Sequence, residues 1–129
     1  MAKQRESIRV VDPFTAFLKT RGWDSYNIHG NQYQEGLPDA YITHPDYAPR
    51  WVEYKVRDDY DKVKLTSAQK KKFPKLNANN VPIYIIAAKD LRKRGKAFDE
   101  TKCKHLYLKI LSKPNVMYAF STSMMHLLY

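Results

Sequence analysis

Three observations predict an α/β fold in which helices flank a mixed β-sheet. Helical and strand-like periodicities follow one another in the order helix, three strands, helix, strand, the pattern of a layered α/β sandwich. Val81-Pro82-Ile83-Tyr84-Ile85-Ile86-Ala87-Ala88 is the most apolar run and suits a central strand buried on both faces. The length, 129 residues, fits a single domain (residues 1–129) with one moderate core.

Each element has a local reason. Asp12-Pro13 reads as a helix start, an N-cap acceptor followed by a proline at the first helical position. Phe14, Phe17 and Leu18 then recur at i, i+3 and i+4 on one apolar face, and Gly22 ends the helix after Lys19 and Arg21. Trp23 to His29 reads as the first strand and Gly30 to Gly36 as a polar loop. Asp39 to Thr43 is the second strand, stopped by Pro45 and Pro49, and Arg50 to Arg57 is the third. Asp58 to Lys64 is charged and reads as a loop. Thr66 or Ser67 caps a second helix through Phe73, which Pro74 must kink or terminate. After the apolar strand comes a basic, weakly structured stretch, Leu91 to Lys96. Leu106 to Leu111 and Val116 to Phe120 read as short strands joined at Pro114-Asn115, and Met124 to Leu128 as a final short helix.

Charge narrows the partner. The chain carries 23 Lys and Arg against 13 Asp and Glu, a formal net charge of +10, which favours a polyanion, nucleic acid before an anionic membrane surface. No apolar run approaches the roughly 20 residues of a membrane span, and Met1 to Glu6 lacks the apolar core of a secretion signal. One cysteine, Cys103, excludes an internal disulfide framework and a cysteine-rich zinc site, and fits a reducing cytoplasm. The four histidines are scattered without zinc-ligand spacing, and His44 suits a loop role better than a phosphate contact.

The chemistry concentrates in two short stretches. Gly36-Leu37-Pro38-Asp39 sets an Asp at the end of a turn, and Trp51-Val52-Glu53-Tyr54-Lys55-Val56 follows as a strand. On a strand, i and i+2 share a face, so Glu53 and Lys55 project together while Val52, Tyr54 and Val56 face the core. If the two strands form an antiparallel hairpin, Asp39 and Glu53 converge. Two carboxylates, with the backbone carbonyl of Tyr54, form a hard oxygen donor set for Mg²⁺. Lys55 would orient or deprotonate the attacking water, or neutralise charge developing on phosphate. Taken singly, each residue suits an ordinary structural role; the combination is the specific signal.

Pro38-Asp39 and Glu53-Tyr54-Lys55 resemble the motif of the PD-(D/E)XK nuclease superfamily. Within it the chain looks most like virus-type replication-repair (VRR-NUC) nucleases and small phage or archaeal junction resolvases, because Leu65-Thr66-Ser67-Ala68-Gln69 is similar to their helix opening. The resemblance covers roughly Asp12 to Ala88. It implies a restriction-endonuclease-like αβββαβ core, with residues 89–129 as an elaboration. It also implies dependence on Mg²⁺, with Mn²⁺ as substitute, and hydrolysis leaving 5′-phosphates. Gln69 is carried over as a catalytic residue that positions water or phosphate. The family often adds an acid from the first helix, and Glu6 ranks above Asp12 for that place, with Glu35 facing solvent. A phage or mobile-element setting follows from the same resemblance, placing the protein in the host cytoplasm.

Lys70 and Lys71 on the second helix and Arg92, Lys93, Arg94 and Lys96 in the basic stretch are the candidate phosphate contacts. Lys70, Lys71, Lys72 and Lys75 cannot all face one phosphate path, since a helix turns about 100° per residue. Tyr26, Tyr33, Tyr41 and Tyr47 can stack on unpaired bases, although tyrosine also favours strands.

Three functions fit. The first is a metal-dependent, structure-selective DNA endonuclease for junctions or flaps, acting as a homodimer where paired cuts are made. The second is a sequence-specific endonuclease of restriction or homing type. The third is a basic nucleic-acid-binding module whose acidic pair is structural. DNA and RNA, branched and linear, stay open at this level.

Overall fold

The computed structural model describes residues 6–28, 35–57 and 64–113. The elements run α1 (Asp12–Thr20), β1 (Asp24–Asn27), β2 (Ala40–His44), β3 (Tyr47–Val56), α2 (Ser67–Ala78), β4 (Ile83–Ala88) and α3 (Glu100–Leu111). The sheet order is β1-β2-β3-β4; the first two pairings are antiparallel and β3–β4 is parallel. The fold is thus α/β with a mixed sheet, as the pattern predicts. No helix among the described residues is long and apolar enough to cross a membrane.

The helical segment begins before Asp12. Glu6 is already in the right-handed helical region, and a π-helical turn, Ser7–Val11, leads into α1 without a break. Asp12 is therefore not an N-cap; its own backbone is helical and its N–H bonds to the Ser7 carbonyl. Pro13 explains the wide turn. It has no N–H to give the Arg9 carbonyl, and its ring crowds that oxygen. The freed carbonyl accepts instead from the Leu91 N–H at 2.7 Å, tying the first helix to the chain beyond β4.

Residues of β4 alternate between two cores. Tyr84 and Ile86 join Ala40, Ile42, Val52 and Tyr54 beneath α1 and α3, where Phe14, Phe17, Leu18, Cys103, Leu106 and Ile110 are buried. Ile83, Ile85 and Ala87 pack on the other face with Leu65 and with Phe73 of α2. The sheet is therefore covered on both sides, as its continuous apolar strand requires.

Several boundaries differ from the sequence reading. Leu106–Leu111 is helical, not a strand. Asp99 caps α3 by accepting from the Lys102 N–H, and Cys103, Leu106 and Ile110 recur at i, i+3 and i+7 on the buried face. A window opened at Leu106 misses both signals. Pro74 does not end α2; the helix continues to Ala78. Its last turn is held by a Schellman closure, with Asn80 at φ 63°, Asn80 N–H on Asn77 O and Val81 N–H on Leu76 O. Leu76 and Val81 pack on the second core, completing that motif. β3 begins earlier, at Tyr47, and includes Pro49. The missing donor of Pro49 faces the β4 side before β4 begins at the Trp51–Ile83 pair, so no ladder bond is lost. Val116–Phe120, the Pro114-Asn115 turn and Met124–Leu128 lie outside the described residues, as does most of the Gly30–Gly36 and Asp58–Lys64 loops.

Arg50 fastens α3 to the sheet. It is 8% exposed, donates to the carbonyls of Ala48 and Ile110 and to the Tyr84 hydroxyl, and lies over the rings of Trp23 and Tyr84 at 5.2 and 5.3 Å. Ile110 is in the last turn of α3, so the guanidinium satisfies a helix-end carbonyl and complements the helix dipole. Arg50→Ala takes the guanidinium from that carbonyl and one of two partners from the Tyr84 hydroxyl, which still donates to the Ser112 carbonyl. It is expected to cost about 3 kcal/mol, read as a lower midpoint in urea unfolding.

Candidate active site

The sheet opens at one end. β2 and β3 pair from His44–Tyr47 to Ala40–Val52 and no further, while β3 continues to Val56 paired with β4 alone. The next N–H on that edge of β3, at Tyr54, is met by the Asp39 carboxylate, Oδ2 accepting at 2.8 Å. The Asp39 carbonyl accepts from the Ile28 N–H at 2.7 Å, so Asp39 is held from β1 as well. In an extended strand the N–H and C=O of one residue share an edge. The Tyr54 carbonyl therefore projects toward the side where Asp39 sits.

The turn before Asp39 depends on Gly36. Its φ is +85°, and a Cβ there would lie 2.6 Å from the Ala68 carbonyl in the first turn of α2. Only glycine combines that backbone with such an approach. Pro38 is buried behind it. The Gly-x-Pro-Asp motif thus docks the turn on the helix opening and releases Asp39 at the gap between strands.

Glu53 and Lys55 share the face covered by α2, as the i, i+2 spacing predicts. Lys55 Nζ lies 3.2 Å from Glu53 Oε2. Gln69 joins them: its Nε2 donates to Glu53 Oε2 at 2.7 Å, and its Oε1 accepts from Lys55 Nζ at 3.2 Å. The amide is oriented by the start of α2. Thr66 Oγ1 accepts from the Gln69 N–H, and the Thr66 N–H donates to Gln69 Oε1 at 2.9 Å, a complete capping box. Because Oε1 takes both donors, Nε2 is turned to the carboxylate. The positioning role of Thr66 went unread in the sequence, although the Thr-x-x-Gln spacing signals it.

Glu53 is 2% exposed, and its second oxygen, Oε1, is buried with no hydrogen-bond partner. Burial, then the nearby Asp39 charge, raise its pKa to about 8 against the opposing pull of Lys55 and the Gln69 hydrogen bond. Two converging carboxylates with an orphaned buried oxygen are poorly compensated by one ammonium. Among the described residues no three His, Cys, Asp or Glu side chains gather as a metal-binding group. The available set, two carboxylates and the Tyr54 carbonyl, is oxygen only. It fits Mg²⁺ or Mn²⁺, which complete their shells with water and substrate phosphate, and does not fit a zinc site.

The other candidates are more dispersed. Glu6 is half-buried at the head of the turn that packs on β3, and Glu35 is exposed. His44 lies at the far end of β2 from Asp39, its Nε2 on the Arg21 carbonyl and its Nδ1 accepting from the Asp46 N–H. It is structural. Cys103 is fully buried and its thiol is pushed up to about 12, chiefly by burial, so it is no nucleophile. Of the α2 lysines, Lys71 and Lys75 are exposed and Lys70 and Lys72 half-buried, spread around the helix as expected. The basic stretch is more ordered than its composition indicates. A Lys93–Lys96 bridge closes a turn on Gly95 at φ 77°, and Arg92 is engaged by Asp90 at 3.0 and 2.8 Å. Lys93, Arg94 and Lys96 stay exposed.

No family model matches the chain, nor does any curated protein or solved structure. The site therefore speaks through its own geometry.

A carboxyl with a raised folded-state pKa contributes stability that is fully present below its unfolded value of 4.5 and lost as pH rises through about 8. At pH 8 and above, without divalent metal, Glu53→Gln is expected to raise the melting temperature by roughly 3–8 °C. Mg²⁺ should stabilise the natural chain but not this variant. A lower melting temperature for Glu53→Gln at pH 8.5 would contradict this account.

Proposed function

We propose that the protein is a metal-dependent endonuclease that hydrolyses DNA phosphodiesters, selective for branched or flapped structures. The observation that carries this reading is the convergence of Asp39 and Glu53 beside Lys55 with one buried Glu53 oxygen unpartnered. The order αβββαβ, with the acids at the open end of the three-stranded meander, supports the resemblance to PD-(D/E)XK nucleases.

Asp39, Glu53 and the Tyr54 carbonyl are the residues that would hold Mg²⁺ or Mn²⁺. When bound, such an ion lowers the pKa of a coordinated water and neutralises phosphate charge. The chain's own groups do the rest. Lys55 keeps an ammonium beside Glu53, where negative charge grows as water adds to phosphorus and the 3′-oxygen departs. Gln69 fixes both the carboxylate and the ammonium, so their geometry does not depend on flexible side chains alone. Lys71, Lys93, Arg94 and Lys96 supply sequence-independent phosphate contacts. Where both strands are cut, a homodimer supplies the second site.

The test is a panel of plasmid, linear duplex, single-stranded, flap and four-way-junction DNA with Mg²⁺ or EDTA. Asp39→Asn, Glu53→Gln and Lys55→Ala are each expected to lower cleavage by roughly a hundredfold or more. In EDTA the carboxylate variants should bind DNA as well as the natural chain or better, since repulsion with phosphate is relieved. Binding without cleavage in either metal by every protein would leave a basic nucleic-acid-binding module instead.

A further inference from the structure

The sheet face that carries Glu53 and Lys55 also carries a row of aromatic rings. Tyr26 is paired with Tyr41 across β1 and β2, and Tyr41 with Trp51 across β2 and β3. Directly opposed residues in antiparallel strands project on the same face. Trp51 and Glu53 are two residues apart on β3, so the row ends one pleat, roughly 7 Å along the backbone, from Glu53. Tyr41 and Trp51 meet edge to face with centroids 5.1 Å apart, which fixes their planes. Tyr26, on edge strand β1, is 56% exposed. On this face α2 packs through Phe73 on β4, and Trp51 stands at the margin of that contact.

A half-open aromatic row on a chain of net charge +10 is matched to an anion with flat apolar groups. Nucleic-acid bases have that chemistry, but in a duplex their faces are covered by neighbouring base pairs. Only unpaired bases can offer a face to a protein ring. The acid on this face away from the site, Asp24, lies at the other end of β1, opposite Thr43.

We infer that Tyr26, Tyr41 and Trp51 form a stacking platform for unpaired bases, so that the substrate strand is single-stranded immediately beside the scissile phosphate. The position of the scissile bond rests on the nuclease reading above; the binding of unpaired bases does not.

The test is made in EDTA, where no cleavage occurs, with a 12-nucleotide oligothymidylate and a blunt duplex of roughly equal length as probes. Oligothymidylate should quench tryptophan emission, Trp51→Phe should abolish the quench, and the buried Trp23 should not report. Tyr26→Leu should weaken oligothymidylate binding roughly fivefold or more while leaving duplex binding unchanged, and Tyr26→Phe, which keeps the ring, should restore it. Absence of quenching, equal weakening for both probes, or failure of Tyr26→Phe to restore affinity would overturn the platform. Loss of the platform with metal-dependent cutting intact would leave the nuclease reading standing; an intact platform with no cutting would do the reverse.

Discussion

The molecule depends on a strand that is paired on both edges for only part of its length. β3 has β2 on one side to Val52 and β4 on the other to Val56. Where β2 leaves, backbone polar groups must find another partner or meet water. Asp39 supplies it at Tyr54, and in doing so its carboxylate is carried to the strand that bears Glu53. The gap is thus both a structural problem and the place where charge gathers. The parallel β3–β4 ladder keeps the extended end of β3 rigid while its other edge is open.

The buried glutamate is the expensive part of that arrangement. A charge removed from water is tolerated only with good geometry and satisfied lone pairs. Lys55 and Gln69 satisfy one oxygen of Glu53, and the other has none. An apolar residue would avoid that desolvation, so a charged side chain at this position is costly to stability. Gln69 spreads the expense: the same amide closes the first turn of α2, so the helix and the ion pair stabilise each other.

Much of the site was legible because each motif residue answers a local backbone demand. Gly36 marks a turn, Glu53 and Lys55 obey the pleat, and Thr66 caps α2, whereas the approach of Gly36 to Ala68 and the hold of Thr66 on Gln69 appear only in the fold. The errors share another cause. Pro13 and Pro74 read as boundaries, yet the Leu91 N–H takes up the carbonyl freed at Pro13, and α2 runs past Pro74 to a Schellman closure after Ala78. Leu106–Leu111 has strand-like composition, and its helix shows only when the Asp99 cap and Cys103 are included. Arg50 was read only as the start of a strand, because nothing local marks a residue whose partners, Tyr84 and Ile110, are distant in sequence. The Glu53 environment is likewise long-range.

The Arg9–Leu91 hydrogen bond also orders events in time. It closes a loop of about 80 residues, and α1 buries Phe14, Phe17 and Leu18 against β-strand residues as late as Ile86. During synthesis the first helix leaves the ribosome with only Trp23 and the β2 and β3 residues Ala40, Ile42, Val52 and Tyr54 of its core available until β4 and Leu91 follow. At roughly 5–20 residues per second that interval is several seconds. Docking of α1 is therefore completed only late in synthesis, and a chain interrupted before Leu91 lacks the Leu91 bond and the rings of Phe98 and Tyr107 that pack on Phe17.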